Sequence, residues 1–152
     1  IVIMGSPSDR EFVERITAAL EALGLPWKTR VASAHKTPRY LLDMLAEYES
    51  EDEPRVYITV AGRSNALSGM VDAAVTAPVI ACPPYSSTYA GADIYSSLRA
   101  PSGVAPAVVL EPSNAALLAA KMLGLVDSEV QEAVQQAQQV QRERLFSADK
   151  GA

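Results

Sequence analysis

The chain contains one histidine, His35, in the stretch VASAHKTPRY at 31–40, with Lys36 directly after it and Pro38 two residues further on. An imidazole is the side chain best suited to taking and returning a proton near neutral pH. Alone it is more often structural, so its neighbours decide its meaning. Other small or polar clusters carry complementary groups. GSPSD at 5–9 offers hydroxyls and a carboxylate, AGRSN at 61–65 a guanidinium and an amide, and CPPYSS at 82–87 more hydroxyls.

Taken singly, each cluster has an ordinary reading. GSPSD suits a turn with Ser8 or Asp9 capping a helix. It also suits an anion or hydroxyl site, built on Gly5, Ser6 and Ser8, because free N–H groups at a helix start favour phosphate. Asp9 repels phosphate at close range and fits ribose hydroxyls better. Lys36 is either a solvated charge or, beside Ser33 and a Thr-Pro helix start, a phosphate partner. In AGRSN, Gly62 permits close backbone approach, while Arg63, Ser64 and Asn65 offer donors. Cys82 ends an apolar run and reads as a small filler. This inventory fits proton transfer on an anionic small molecule, with His35 as the acid/base group. A Walker loop, a GxGxxG dinucleotide fingerprint and a GxSxG nucleophile motif are all absent from the sequence.

The elements that must gather these clusters follow from periodicity. IVIM at 1–4 reads as a buried strand and its position as the first residues suggests that a few precede it. Phe12, Ile16, Leu20 and Leu23 recur at helical spacing, and Gly24 is a stop. Strands are expected at 27–33, in RVYITVAG, at 77–83 and at 104–110, with helices starting at Thr37-Pro38, within 65–75, at 112–124 and at 128–146. Leu41, Leu42, Leu45 and Tyr48 supply the apolar face of the second helix. In the last, Val130, Ala133, Val134, Ala137 and Val140 make a narrow stripe, suited to a helix of the same subunit or of a neighbour.

Strands alternating with helices mean a parallel sheet with right-handed crossovers. The expectation is a flavodoxin-like three-layer α/β/α sandwich, five parallel strands in the order 2-1-3-4-5, in one domain spanning 1–152. In such a sheet every strand-to-helix junction lies on the carboxyl edge, so the four clusters meet there and His35 with them. At net charge −5 without a basic run, the chain does not read as a nucleic-acid binder, and any anion must be held locally. One cysteine and one histidine argue against a zinc site and against an intramolecular disulfide. No signal peptide or membrane span is evident, which makes the cytoplasm the default.

MGSPSD, SAHKTP, AGRSNALSG and CPPYSSTYAGADIYSSLRAPSG together resemble phosphoribosylaminoimidazole (AIR) carboxylases of purine biosynthesis, over nearly the whole chain. One class of that family is a mutase that rearranges N5-carboxyaminoimidazole ribonucleotide, with Arg after the histidine and a third motif like AGGAAH. The other carboxylates aminoimidazole ribonucleotide directly with carbon dioxide, and its SAHK and AGRSN motifs are those of this sequence. The resemblance implies an octamer whose sites are completed by neighbours, His35 as general acid/base, and no cofactor or metal. GSPSD, Ser33 and Lys36 would hold the ribose phosphate, and Gly62, Arg63 and Ser64 would line the pocket for carbon dioxide or the new carboxylate. Alternatives are the mutase reaction, a carboxylase acting on a different nucleotide, since related domains modify nicotinate derivatives, and a flavodoxin-like binding or signalling module. A receiver module would need an acidic first-strand end and an aspartate after the third, which GSPSD and AGRSN do not supply.

Overall fold

The computed structural model describes residues 1–150. Five short strands form one parallel sheet: β1 (Val2–Met4), β2 (Thr29–Val31), β3 (Tyr57–Val60), β4 (Val79–Ala81) and β5 (Ala107–Val108). Their spatial order is β2-β1-β3-β4-β5, as the alternating pattern leads one to expect. The register sets Val2 opposite Thr29 on one side and Ile58 on the other, and Ile58 in turn opposite Ile80.

The helices are α1 (Arg10–Ala22), α2 (Pro38–Glu49), α3 (Leu67–Asp72), α4 (Tyr95–Leu98), α5 (Pro112–Leu123) and α6 (Ser128–Lys150). Successive strand residues point to opposite faces, and two cores result. Val2, Met4, Ile58, Val60, Ile80 and Cys82 pack with α1, α5 and Val134 of α6. Ile3, Tyr57 and Val79 pack with Leu41, Met44, Leu45 and Tyr48 of α2 and with Leu67 and Val71 of α3. Both faces of the central strands are covered, which is why they read as apolar runs broken only by the buried Thr59.

Several details differ from the sequence pattern for identifiable reasons. The expected strand at 104–110 ladders only at Ala107–Val108: Pro106 has no N–H, and the segment before it is turned by a Val104-to-Pro101 hydrogen bond. In α2 the buried residue is Met44, whereas Leu42 is 42% exposed, because 41, 44, 45 and 48 share one helical face. Thr37 precedes α2 without capping it; its hydroxyl accepts from Ser33 N–H and donates to Ser33 carbonyl. The residue capping the first junction is Ser6, whose Oγ accepts from Ser8 N–H at the start of a 3-10 turn over Pro7–Asp9. The last helix reaches Lys150, beyond the expected 146. Its stripe divides. Val130, Val134 and Ala137 dock on the same chain, while Val140, Leu145 and Phe146 are exposed.

Two expectations follow for stability. Helices α1 and α5 meet through Ala115, Ala116, Ala119 and Ala120, each nearly or wholly buried, so the interface has no room for a larger side chain. Ala116→Leu is expected to destabilise by about 1–3 kcal/mol through overpacking, read as a lower urea midpoint at fixed protein concentration. The second concerns Glu49 at the end of α2. Its carboxylate accepts from Tyr57 OH at 3.0 Å, Thr76 N–H at 2.9 Å and Thr76 Oγ1 at 3.0 Å. Burial raises its pKa, but the hydrogen bonds from Thr76 and Tyr57 and the charge of Arg55 outweigh that and hold it below the ordinary 4.5. A carboxyl with a depressed folded-state pKa stabilises the fold above its unfolded value and loses that contribution as pH falls through the folded value. Glu49→Gln should therefore lower the urea midpoint at neutral pH, with the difference from wild type shrinking as pH drops below 4.5.

Candidate active site

The order of strand addition reverses between β1 and β3: the first crossover leads to β2 on one side, and all later strands are added on the other. At such a switch point the loops after adjacent strands part and leave a crevice at the carboxyl edge. Gly5 leaves β1 there with its N–H bonded to the Val60 carbonyl at 2.9 Å. A Cβ on Gly5 would sit 3.4 Å from Ala61 Cβ, at the limit of ordinary contact, so the two loops run close together there.

The crevice is a cleft of about 770 Å³, within the range of small-molecule sites. It brings together Gly5, Ser6, Ser8 and Asp9 from the first junction, Ser33, His35 and Lys36 from the second, and Gly62, Arg63 and Ser64 from the third. Asn65 is not among its lining residues. It is 7% exposed, its Nδ2 donates to Ser97 Oγ at 2.9 Å, and its Oδ1 accepts from Ser68 N–H at 3.3 Å. Its amide is thus committed to anchoring the loop at the start of α3. Pro84, Tyr85, Ser86 and Ser87, from the junction after β4, complete the lining. The topology expected from the sequence puts that junction at the same edge, but its residues are not among those expected in the site.

His35 lies in a three-residue turn, 34–36, between β2 and α2, and is exposed. Ser33 shapes the turn: its Oγ accepts from Lys36 N–H at 3.2 Å and its carbonyl from Thr37 N–H at 2.9 Å. The Thr37 hydroxyl closes the turn from the other side, which explains why it does not cap α2. This compact turn presents the imidazole and the Lys36 ammonium together at the cleft.

Burial raises the Asp9 carboxyl above its ordinary 3.8, while a hydrogen bond from the Ser6 backbone and the positive charge of Arg63 act in the opposite direction. The first and third junctions are thus electrostatically coupled across the crevice, where the cations Lys36 and Arg63 share the lining with the carboxylate of Asp9. Cys82 is different. It is fully buried, and burial, helped by the negative charge of Glu111, pushes its thiol up to about 12. That excludes a thiolate nucleophile at neutral pH.

The third junction is unusual in its backbone. Arg63, not Gly62, has the left-handed conformation, with φ 57°. Such a conformation costs a residue with a Cβ about 1–2 kcal/mol. A Cβ on Gly62 would meet only ordinary contacts at 3.5 Å or more, so crowding within the chain does not demand the glycine.

A second hollow of about 480 Å³ lies at the opposite edge, walled by Glu49, Glu51, Asp52, Glu53 and Arg55. Arg55 there is occupied: it donates to the Tyr48, Glu51 and Glu53 carbonyls and pairs with Glu51 at 3.3 Å. Among the described residues no group of three or more His, Cys, Asp or Glu is arranged to hold a metal ion, and no helix is long and apolar enough to cross a membrane.

Comparison with known proteins agrees with this geometry. The sequence profile of the family described as AIR carboxylase matches residues 1–144. The chain is 50% identical to the phosphoribosylaminoimidazole carboxylase of Treponema denticola, over 98% of this chain and 94% of that protein. It is 52% identical to the phosphoribosylaminoimidazole carboxylase of Archaeoglobus fulgidus, over 98% of this chain and 82% of that one. The crystal structure of Treponema denticola PurE superposes with a TM-score of 0.97 at 49% identity, covering 99% of this chain and 95% of that chain. A match of this extent, together with a three-layer fold and a switch-point cleft, establishes that the chain belongs to the AIR carboxylase family.

Proposed function

We propose that the cleft carboxylates 5-aminoimidazole ribonucleotide directly with carbon dioxide, giving 4-carboxy-5-aminoimidazole ribonucleotide, without cofactor or metal. The observation that carries this reading is the convergence of one imidazole, one ammonium, one guanidinium and several hydroxyls on a single cleft.

The chemistry asks little beyond that set. The aminoimidazole is an enamine, so its C4 is nucleophilic. C4 attacks the carbon of carbon dioxide; a C–C bond forms and a C=O π pair moves onto oxygen as a carboxylate. The new sp³ centre still bears its proton. His35 removes it, the C–H electrons return to the ring, aromaticity is restored, and the proton passes to solvent. In the reverse direction the same imidazole protonates C4, so one group serves both directions. The Arg63 guanidinium and Ser64 hydroxyl stabilise the carboxylate as it develops. Ser6, Ser8, Ser33 and Lys36 hold the phosphate, and Asp9 takes ribose hydroxyls, for which its negative charge is suited.

Residues 1–152 act as one carboxylase domain, in the cytoplasm, assembled as a homo-octamer. An open cleft supports the assembly, because His35, Lys36, Arg63 and Ser64 are all exposed and a neighbour would close over them. Tyr85 is 76% exposed at the cleft, and Tyr89 together with Tyr95 and Leu98 of α4, which follow it in the chain, are also exposed. A patch of this kind marks contact surface.

His35→Asn should keep the fold and nucleotide binding, read by thermal unfolding and calorimetry, while turnover drops by about 10²–10⁴-fold. Retention of more than about a tenth of the rate, a change worth about 1.4 kcal/mol, would remove His35 from the role of catalyst. The reaction class is tested on the intact protein with aminoimidazole ribonucleotide and bicarbonate. Turnover should be saturable in dissolved carbon dioxide, independent of ATP, and unaffected by EDTA or avidin. Arg63→Ala should lower carboxylation more than nucleotide binding. Efficient conversion of the N5-carboxy compound in buffer scrubbed of carbon dioxide, with little activity from bicarbonate, would assign the mutase reaction instead.

A further inference from the structure

The strained loop at the cleft is held from behind. Arg63 N–H donates to Asp93 Oδ2 at 2.9 Å. The Ser96 hydroxyl lies 2.8 Å from the carbonyl oxygens of both Arg63 and Asp93, and accepts from Asn65 N–H at 3.0 Å. Residues 93–96 thus grip the backbone on both sides of Ser64. Asp93 is not among the residues lining the cleft; it borders the adjoining hollow with Phe12, Arg15 and Tyr85.

This grip accounts for a conformation that Arg63 would otherwise leave. With φ 57°, an arginine sits in a region that residues with a Cβ enter rarely, and such strain persists only where the surroundings over-determine it. Released from its partners, Arg63 would relax to a right-handed or extended conformation. Its Cα–Cβ bond, and with it the guanidinium, would swing to a new direction. The segment that supplies the grip has an unusual backbone of its own. Ala90 and Gly91 are both left-handed, and the Tyr85 ring lies so close to Gly91 that a Cβ there would be 2.9 Å from its Cε2.

We propose that Asp93 is a positioning residue for the carboxylation. Its carboxylate holds Arg63 in the left-handed conformation and thereby aims the guanidinium into the cleft, with Ser96 as the second point of attachment. The inference rests on the preceding reading of Arg63 as the group that stabilises the forming carboxylate. Asp93 touches no reacting atom and acts only through the backbone of Arg63.

The experiment is a double-mutant cycle in full-length protein, with initial rates of aminoimidazole ribonucleotide carboxylation and thermal unfolding for each variant. Wild-type turnover tests the carboxylase reading by itself; ratios among variants test this inference. Asp93→Ala should lower kcat by about 10-fold in the wild-type background and by less than about 3-fold in the Arg63→Ala background, the non-additivity of residues acting as one unit. KM for the nucleotide should change less than kcat in both. Asp93→Asn keeps an acceptor oxygen and should restore most of the rate. Should Asp93→Ala not fold, Ser96→Ala enters the same cycle with the same expected coupling. Equal losses in the two backgrounds, or no loss from Asp93→Ala, would overturn the proposal, since either outcome means that Asp93 does not act through Arg63.

Discussion

The pairing of β1 with β3 is the constraint on which the cleft depends. These strands are separated in sequence by α1, β2 and α2 yet lie side by side, Met4 opposite Val60. The hydrogen bond from Gly5 N–H to Val60 carbonyl marks where they part. Their register is enforced from both faces, since Val2, Met4, Ile58 and Val60 are buried on one side and Ile3 and Tyr57 on the other. A slip of one residue would exchange these two sets and disrupt both cores at once. Because the pairing is that well determined, the loops after the strands start from fixed points, and short loops starting from fixed points have few conformations open to them.

The chemistry is built on those loops in two different ways. At the second junction the backbone is relaxed: Ser33 and Thr37 close a compact turn through local hydrogen bonds, and the turn carries His35 and Lys36 outward. At the third junction the backbone is strained, and partners distant in sequence hold it. The difference suits the roles proposed for His35 and Arg63. A proton-transfer group on a locally closed turn can tolerate small adjustments as the proton moves back and forth. A charge meant to stabilise a carboxylate only as it forms works best when already oriented, so that no reorganisation is needed at the moment of reaction. Of the 13 lysines and arginines of this acidic chain only Lys36 and Arg63 line the cleft, so attraction for an anionic ligand there is local.

Much of this is visible in the residues themselves. The alternation of apolar runs and helical repeats specifies a doubly wound parallel sheet, because each pattern can bury its apolar side in only one kind of element. The topology then sends every junction to the same edge, so His35, Lys36, Arg63 and the serines were legible as one site. The motifs also carried the family. What escaped the sequence depends on contacts across long separations. No local pattern shows that Asn65 faces Ser97 instead of the cleft, that Arg63 and not Gly62 is left-handed, or that Asp93 reaches back thirty residues to its N–H. Nor could the last helix's stripe reveal that its first half docks on α5 and its second half stays exposed. Periodicity encodes which side of an element is buried; it does not encode which polar group will lie within hydrogen-bond distance once the layers have packed. That is settled only by the tertiary structure, because a hydrogen bond requires positions accurate to a few tenths of an ångström, and packing both faces of the sheet is what supplies them.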